Sequence, residues 1–135
     1  MARERMEEAG IGDRVRLAQG DFDSDALPAG ADLAWVSAIV HQNSSEENRT
    51  LFRKILTALL PGGRILIRDI VMDESRIRPT AGALFAINML VATAGGGVFT
   101  FNELREGLAA AGFADVRLLR SGEGMDSVVC ATKPQ

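Results

Sequence analysis

The chain has 135 residues, 47% of them hydrophobic and 24% charged, which predicts a single domain over residues 1–135 and excludes a disordered chain. Its 15 basic and 18 acidic side chains leave a net charge of −3, so electrostatics give no reason to expect nucleic acid or an anionic membrane as a partner. A lone cysteine, Cys130, with no signal peptide or membrane span in view, favours a cytoplasmic location and a packed, inert thiol.

The first third of the chain reads as one helix followed by two strands. Residues 2–9 favour a helix that ends at the glycines of residues 10–12, and residues 15–18 alternate in the manner of a short strand. Residues 31–40 are almost continuously apolar, which is typical of a strand covered on both faces in a parallel sheet. Trp35, within this run, is expected to pack in the sheet.

A helix and another strand are predicted next. Ser44 and Glu47 form a capping box at the start of a helix with one apolar stripe over residues 51–59. The Pro-Gly-Gly of residues 61–63 should end this helix, and residues 64–71 form the following strand. Strand, helix and strand with short connections predict a parallel βαβ unit with a right-handed crossover.

The second half predicts two helices and a closing hairpin. Residues 83–92 are apolar nearly all round, which indicates a helix that is buried on most sides or lines a pocket. Thr100 and Glu103 form a second capping box, and this helix should stop at Gly112.

Residues 116–119 and 127–131 read as antiparallel strands that close the fold. The expected fold class is therefore α/β, with a mainly parallel sheet and an antiparallel C-terminal hairpin.

Several short segments, taken in order, resemble class I S-adenosylmethionine-dependent methyltransferases. They are Gly20-Asp21-Phe22, Val40-His41 at a strand end, Leu-Leu-Pro-Gly-Gly-Arg at 59–64, and Asp69 at the next strand end. Asn88-Met89-Leu90, the glycines at 95–97, the segment 99–104 and Ala111-Gly112-Phe113 narrow the resemblance to the small-molecule O-methyltransferases of plant and bacterial secondary metabolism. The resemblance implies a partial Rossmann-like sheet, S-adenosylmethionine as the cofactor, and a small aromatic or polyketide-like acceptor.

The resemblance covers only the C-terminal part of such an enzyme. The family's Gly-rich cofactor loop, the acidic residue that holds the ribose, and the N-terminal dimerisation domain have no counterpart in this sequence. We therefore expect this chain alone to bind the cofactor weakly and to be weakly active or inactive, and a non-catalytic oligomeric or binding module is the alternative function. A strand left without its neighbour would also recruit a second copy, which predicts a homo-oligomer or a strand-exchanged dimer.

The resemblance assigns catalytic roles to two residues. His41 matches the histidine that takes the proton from the acceptor hydroxyl, a task suited to imidazole, and Asp69 matches the carboxylate that fixes its tautomer. The plain alternatives are a loop histidine and a strand-end aspartate paired with Arg68. Val98 stands where the plant enzymes carry a second bracing carboxylate, so that part of the machinery is absent or replaced.

The resemblance also implies binding residues. Asp21 and Phe22 match the pair that contacts the adenine of the cofactor, and Ser37 falls at another polar cofactor contact. Asn88 and Met89 match the acceptor pocket, where a thioether suits aromatic substrates and a buried amide would need partners. An ordinary turn, a buried strand serine and core packing are the corresponding plain alternatives. No metal is expected.

Overall fold

The computed structural model describes residues 2–135, with helices and strands alternating along most of the chain. The helices are α1 (Ala2–Glu8), α2 (Ser45–Ala58), α3 (Thr80–Ala92) and α4 (Phe101–Ala111), with short 3₁₀ turns at Gly12–Arg14 and Val40–Gln42. The strands are β1 (Ala31–Ser37), β2 (Leu59–Asp69), β3 (Val71–Met72), β4 (Phe99–Thr100), β5 (Ala114–Arg120) and β6 (Ser127–Thr132).

Four strands form a sheet in the order β1-β2-β6-β5. β1 and β2 are parallel and joined through α2, whereas β6 runs antiparallel to both β2 and β5. Three of the four strands therefore point the same way, with β6 reversed between two of them. The α/β class and the antiparallel C-terminal hairpin are confirmed.

Helices α2 and α4 pack against each other and cover one face of this sheet. Both helices begin with the predicted capping boxes, at Ser44 and Thr100, and α4 ends at Gly112, whose φ of 109° suits glycine. Phe52 from α2 and Leu108 from α4 are almost completely buried and belong to the same core as the sheet residues. Burying each such side chain contributes about 1.5–3 kcal/mol, so this core holds β2 in place.

β1 differs from its prediction in length and in burial. It stops at Ser37, because Ala38 has a φ of 56°, and the chain then enters the 3₁₀ turn that carries His41. Leu33 is 47% exposed and Trp35 55% exposed, so the expectations of a strand covered on both faces and of a packed Trp35 are wrong. Within residues 2–135, β1 pairs only with β2. Its apolar composition indicates that both faces of the strand can be buried, but not that a neighbouring element covers them.

The predicted strand at residues 15–18 is also not formed, since it pairs with no strand among the described residues. Val15 and Leu17 are instead 38% and 42% exposed. Strand β2 begins at Leu59 and so includes the Pro-Gly-Gly segment, where the Gly62 amide donates to the Lys133 carbonyl at 3.0 Å. Hydrogen bonding to the residue that follows the neighbouring strand β6 thus extends β2 beyond its predicted start.

Helix α3 begins three residues before its predicted start and is mostly exposed. Its only buried residue is Gly82, while Leu84, Ile87, Leu90 and Val91 are 60–83% exposed. The expectation of a helix buried on most sides is therefore wrong. An all-round apolar pattern indicates which faces of a helix can be buried, but it does not show whether a neighbouring element covers them. Among the described helices, none combines the length and the apolar character needed to cross a bilayer.

Cys130 is buried in β6, as predicted. It lies opposite Leu66 of β2 and Arg117 of β5 in the central part of the sheet.

Candidate active site

His41 and Asp69 form a buried pair at the carboxyl ends of β1 and β2. The His41 Nδ1 atom lies 2.9 Å from Oδ1 and 3.1 Å from Oδ2 of Asp69, and the two residues are 7% and 2% exposed. Since β1 and β2 are adjacent and parallel, residues that follow or end them meet at one edge of the sheet. The structure thus brings the two predicted catalytic residues together.

The Asp69 carboxylate is held by backbone donors as well as by the imidazole. The His41 amide donates to Oδ2 at 3.3 Å, and the Ile70 amide donates to Oδ1 at 2.8 Å. A carboxylate facing Nδ1 favours the tautomer with its proton on that nitrogen. The Nε2 atom then carries the lone pair that can accept a proton.

Three contacts that the sequence did not indicate surround His41. The amide nitrogen of Asn48 donates to the Val40 carbonyl at 2.9 Å, and the Gly97 amide donates to the His41 carbonyl at 2.9 Å. The Phe85 ring of α3 meets the imidazole edge-on, with centroids 5.0 Å apart and planes at 78°. The position of Asn48, a polar residue on the buried apolar stripe of α2, was the sequence signal that could have indicated its contact.

The glycine run after α3 packs closely against the turn that carries His41. A Cβ atom on Gly96 would lie 2.5 Å from the His41 carbonyl oxygen and 2.9 Å from that of Gln42. Only a residue without a side chain allows this approach. Val98, directly after the run, is 5% exposed and packs with Ile70 and Met72, so its position belongs to an apolar cluster.

Asp21 and Phe22 lie in an exposed turn before β1. The Asp21 carboxylate accepts from the Asp23 amide at 2.9 Å and from the Ser24 hydroxyl at 3.1 Å, and these bonds hold its pKa below the ordinary value. Phe22 is 42% exposed, and its carbonyl accepts a hydrogen bond from the Lys54 ammonium. The turn leaves the Phe22 ring available as a stacking surface.

An apolar cavity of about 380 Å³ opens beside β1, and we call it the β1 cavity. It is lined by Phe22, Leu27, Ala34, Trp35, Val36, Ser37, Ile39, Leu51 and Ile55. Ser37 is the polar member, and its hydroxyl accepts from Arg68 at 3.1 Å. Two of the three predicted cofactor residues, Phe22 and Ser37, therefore line one cavity. The third, Asp21, directly precedes Phe22 in the sequence.

The predicted acceptor residues lie on α3. Asn88 is exposed, so the expectation of a buried amide is wrong, while Met89 is half-buried. Met89 follows Phe85 by four residues and so lies on the same side of α3. Phe85 thereby links the side of α3 that holds Met89 to the imidazole of His41.

A second cavity, of about 710 Å³, lies between the loop after β3 and the β5–β6 loop, and none of the predicted site residues lines it. Across residues 2–135 the structure contains no group of three or more metal-ligating side chains.

Comparison with known proteins relates this arrangement to one family. A model described as "O-methyltransferase domain" matches residues 1–114. The 3-hydroxy-5-methyl-1-naphthoate 3-O-methyltransferase of Streptomyces sahachiroi is 36% identical over 134 residues, which cover 98% of this chain and 39% of that protein. The chain spans about two fifths of the length of this curated relative.

Solved structures of methyltransferases also resemble this chain over about a third to two fifths of their own length. The structure of PigF with SAH has a TM-score of 0.89 at 30% identity, covering 97% of this chain and 39% of PigF. Human N-acetylserotonin methyltransferase in complex with SAM has a TM-score of 0.80 at 31% identity, covering 87% of this chain and 33% of the human one. By the family match over residues 1–114 and these likenesses, the chain belongs to the O-methyltransferase domain family.

Proposed function

We propose that residues 1–135 are the C-terminal portion of the catalytic domain of an S-adenosylmethionine-dependent O-methyltransferase, in which His41 deprotonates the acceptor hydroxyl. The observation that carries this proposal is the buried contact of 2.9 Å between His41 Nδ1 and Asp69 Oδ1. It leaves Nε2 as the proton acceptor and supplies a carboxylate to stabilise the imidazolium that forms.

The acid–base step is balanced by these two side chains. The acceptor O–H bond would break and its proton pass to His41 Nε2, while the acceptor oxygen bonds to the methyl carbon; the bond from that carbon to sulfur would break, and the electron pair would leave with the sulfur as S-adenosylhomocysteine. S-adenosylmethionine supplies, when bound, a methyl group made electrophilic by the attached sulfonium. The role of Asp69 is to orient the ring and to stabilise its charged form.

The β1 cavity fits the adenosine end of this cofactor. Phe22 offers an exposed aromatic face for stacking, and Ser37 offers a hydroxyl at the rim of an otherwise apolar space. Asp21 lies next to Phe22, and hydrogen bonds from Asp23 and Ser24 hold the pKa of its carboxyl below the ordinary value. We assign Asp21, Phe22 and Ser37 to binding of the adenosine end of the cofactor. Its methionine end would be bound by other residues.

The acceptor is proposed to lie between α3 and His41. Met89 and Asn88 would contact it, because Phe85, one turn earlier on α3, already touches the imidazole. Curated relatives are named for a naphthoate, a tetracenomycin polyketide and acetylserotonin. We therefore propose a small aromatic or polyketide-like molecule with a phenolic hydroxyl.

Self-association through β1 is part of the proposal. Trp35 and Leu33 are half exposed on a strand that pairs on one side only among the described residues. Such an edge is a template for another strand, and a second copy of β1 provides one with the same apolar side chains. A homo-oligomer or a strand-exchanged dimer would pair the second edge of this strand.

Two measurements test the proposed function. Calorimetric titration with S-adenosylhomocysteine should show that the 135-residue chain binds this ligand, and no heat at millimolar ligand would contradict cofactor binding by these residues.

With labelled S-adenosylmethionine and a hydroxynaphthoate acceptor, His41→Ala should reduce methyl transfer by about 10²–10⁴-fold while leaving S-adenosylhomocysteine affinity unchanged. Arg120→Ala, at an exposed ion pair with Asp126, is the matched control and should keep wild-type activity. Full activity of His41→Ala would refute the role of the imidazole.

A further inference from the structure

We propose that Asn48 is a positioning residue for His41, an inference that rests on the catalytic role proposed above. Asn48 lies in the first half of α2, is 3% exposed and donates from Nδ2 to the Val40 carbonyl at 2.9 Å. Its Oδ1 accepts from the Asn43 side chain at 3.2 Å. The amide is thereby oriented on one side by Asn43 and bonded on the other to the residue before the base.

The Val40 carbonyl and the His41 amide belong to one planar peptide unit. Asn48 holds the carbonyl end of this unit, and Asp69 Oδ2 holds its N–H end at 3.3 Å. Two hydrogen bonds at opposite ends prevent the plane from rotating about its flanking bonds. Because the His41 Cα lies in that plane, the direction in which the imidazole leaves the backbone is fixed.

Such a restraint is needed because β1 does not extend to His41. The strand stops at Ser37, and the positive φ of Ala38 turns the chain away from the register of the sheet. On the following peptide unit, the Gly97 amide donates to the His41 carbonyl at 2.9 Å. The peptide units on both sides of His41 are thus fixed by groups outside the turn, and Asn48 is the side chain of α2 that contributes.

The Val40 carbonyl also accepts from the Asn43 backbone amide, at 3.3 Å. Loss of the Asn48 amide would remove the shorter of these two bonds and loosen the Val40–His41 peptide, while leaving His41 and Asp69 intact. The Nδ1–Oδ1 contact should then loosen, and the tautomer with its proton on Nε2 should become populated. A residue that merely fills space in α2 would lower stability without changing the tautomer. The proposal therefore predicts a spectroscopic change that ordinary loss of packing does not produce.

His41 is the only histidine in the sequence, so the imidazole ¹⁵N signals of the labelled chain report on it alone. In Asn48→Ala, we expect a roughly 2- to 10-fold rise in the minor tautomer, the change that follows from losing one neutral hydrogen bond. Val129→Ala, which truncates a fully buried strand residue, is the control and should lower the melting temperature with unchanged histidine signals. Wild-type signals in folded Asn48→Ala would overturn the proposal.

A milder variant covers the case in which Asn48→Ala does not fold. Asn43→Ala removes the group that orients the Asn48 amide and leaves the bond to Val40 in place, so the same spectral change should occur to a smaller extent. Wild-type histidine signals in Asn43→Ala would then overturn the proposal.

Methyl transfer separates this inference from the proposed function. If the wild-type chain transfers methyl groups, Asn48→Ala should lower kcat about 10-fold with KM unchanged, because misplacement of a base affects the chemical step. A tautomer change in the variant with no methyl transfer by the wild type would refute turnover by this chain alone and support positioning by Asn48. Unchanged signals and unchanged kcat beside an active wild type would refute positioning alone.

Discussion

Removal of the Asp69 carboxylate gives the sharpest test of the buried pair. Asp69→Ala would leave three donors without their acceptor: the His41 amide, the His41 Nδ1 group and the Ile70 amide. A buried donor left unpaired costs about 1–3 kcal/mol. Because the three donors share one small site that can partly relax, we expect a loss of about 3–5 kcal/mol in the free energy of unfolding.

Urea unfolding followed by circular dichroism measures this loss. Asp69→Ala should shift the midpoint with little change in the dependence on urea, since the same surface is exposed on unfolding. Combination with His41→Ala in a double-mutant cycle should show a coupling of about 0.5–3 kcal/mol, because each substitution removes the same contact. A loss below about 1 kcal/mol in Asp69→Ala, or additive effects in the double variant, would refute the reasoning.

Three further predictions address the glycine run, the α2 cap and the exposed face of β1. Gly96→Ala would place a Cβ atom 2.5 Å from the His41 carbonyl oxygen and should destabilise the fold by about 1–3 kcal/mol in the same urea assay; unchanged stability would contradict that close contact. Hydrogen bonds from the Ser44 backbone and side chain hold the pKa of Glu47 below its ordinary value of 4.5, so its contribution is complete above that pH and is lost as the pH falls through the lower, folded-state pKa. Unfolding measured between pH 6 and about pH 3 should therefore be less pH-dependent for Glu47→Gln than for the wild type, and parallel curves would argue against it. Trp35→Lys should shift sedimentation toward the monomer if β1 mediates self-association, and an unchanged distribution would count against that interface.

Local signals predicted the elements they belong to. The capping boxes at Ser44 and Thr100 and the stop at Gly112 appear as expected, because each depends on residues within a few positions of one another. The meeting of His41 and Asp69 was also predictable, since it follows from placing residues after adjacent parallel strands. These inferences needed no knowledge of which other segments lie nearby.

Burial and side-chain partners could not be predicted in the same way. The apolar residues of β1 predicted cover on both faces, and those of α3 predicted a helix that is buried on most sides or lines a pocket. Leu90 and Trp35 are nevertheless exposed, because burial depends on a neighbouring element. Residues 15–18 have a strand pattern but pair with no strand within residues 2–135. The contacts of Asn48 and Phe85 with the His41 turn depend equally on how helices approach it, which residue spacing does not specify.

The position of β6 between β2 and β5 has a consequence for the order of folding. Asp69 pairs with Ser127, which comes 58 positions later in the chain (127 minus 69), whereas Arg120 and Val128 pair across a short loop. Since closing a longer loop costs more chain entropy, the β5–β6 hairpin should form early and dock onto β2 as a unit. Substitutions that weaken the hairpin should therefore slow refolding, and those at the β2–β6 junction should mainly accelerate unfolding.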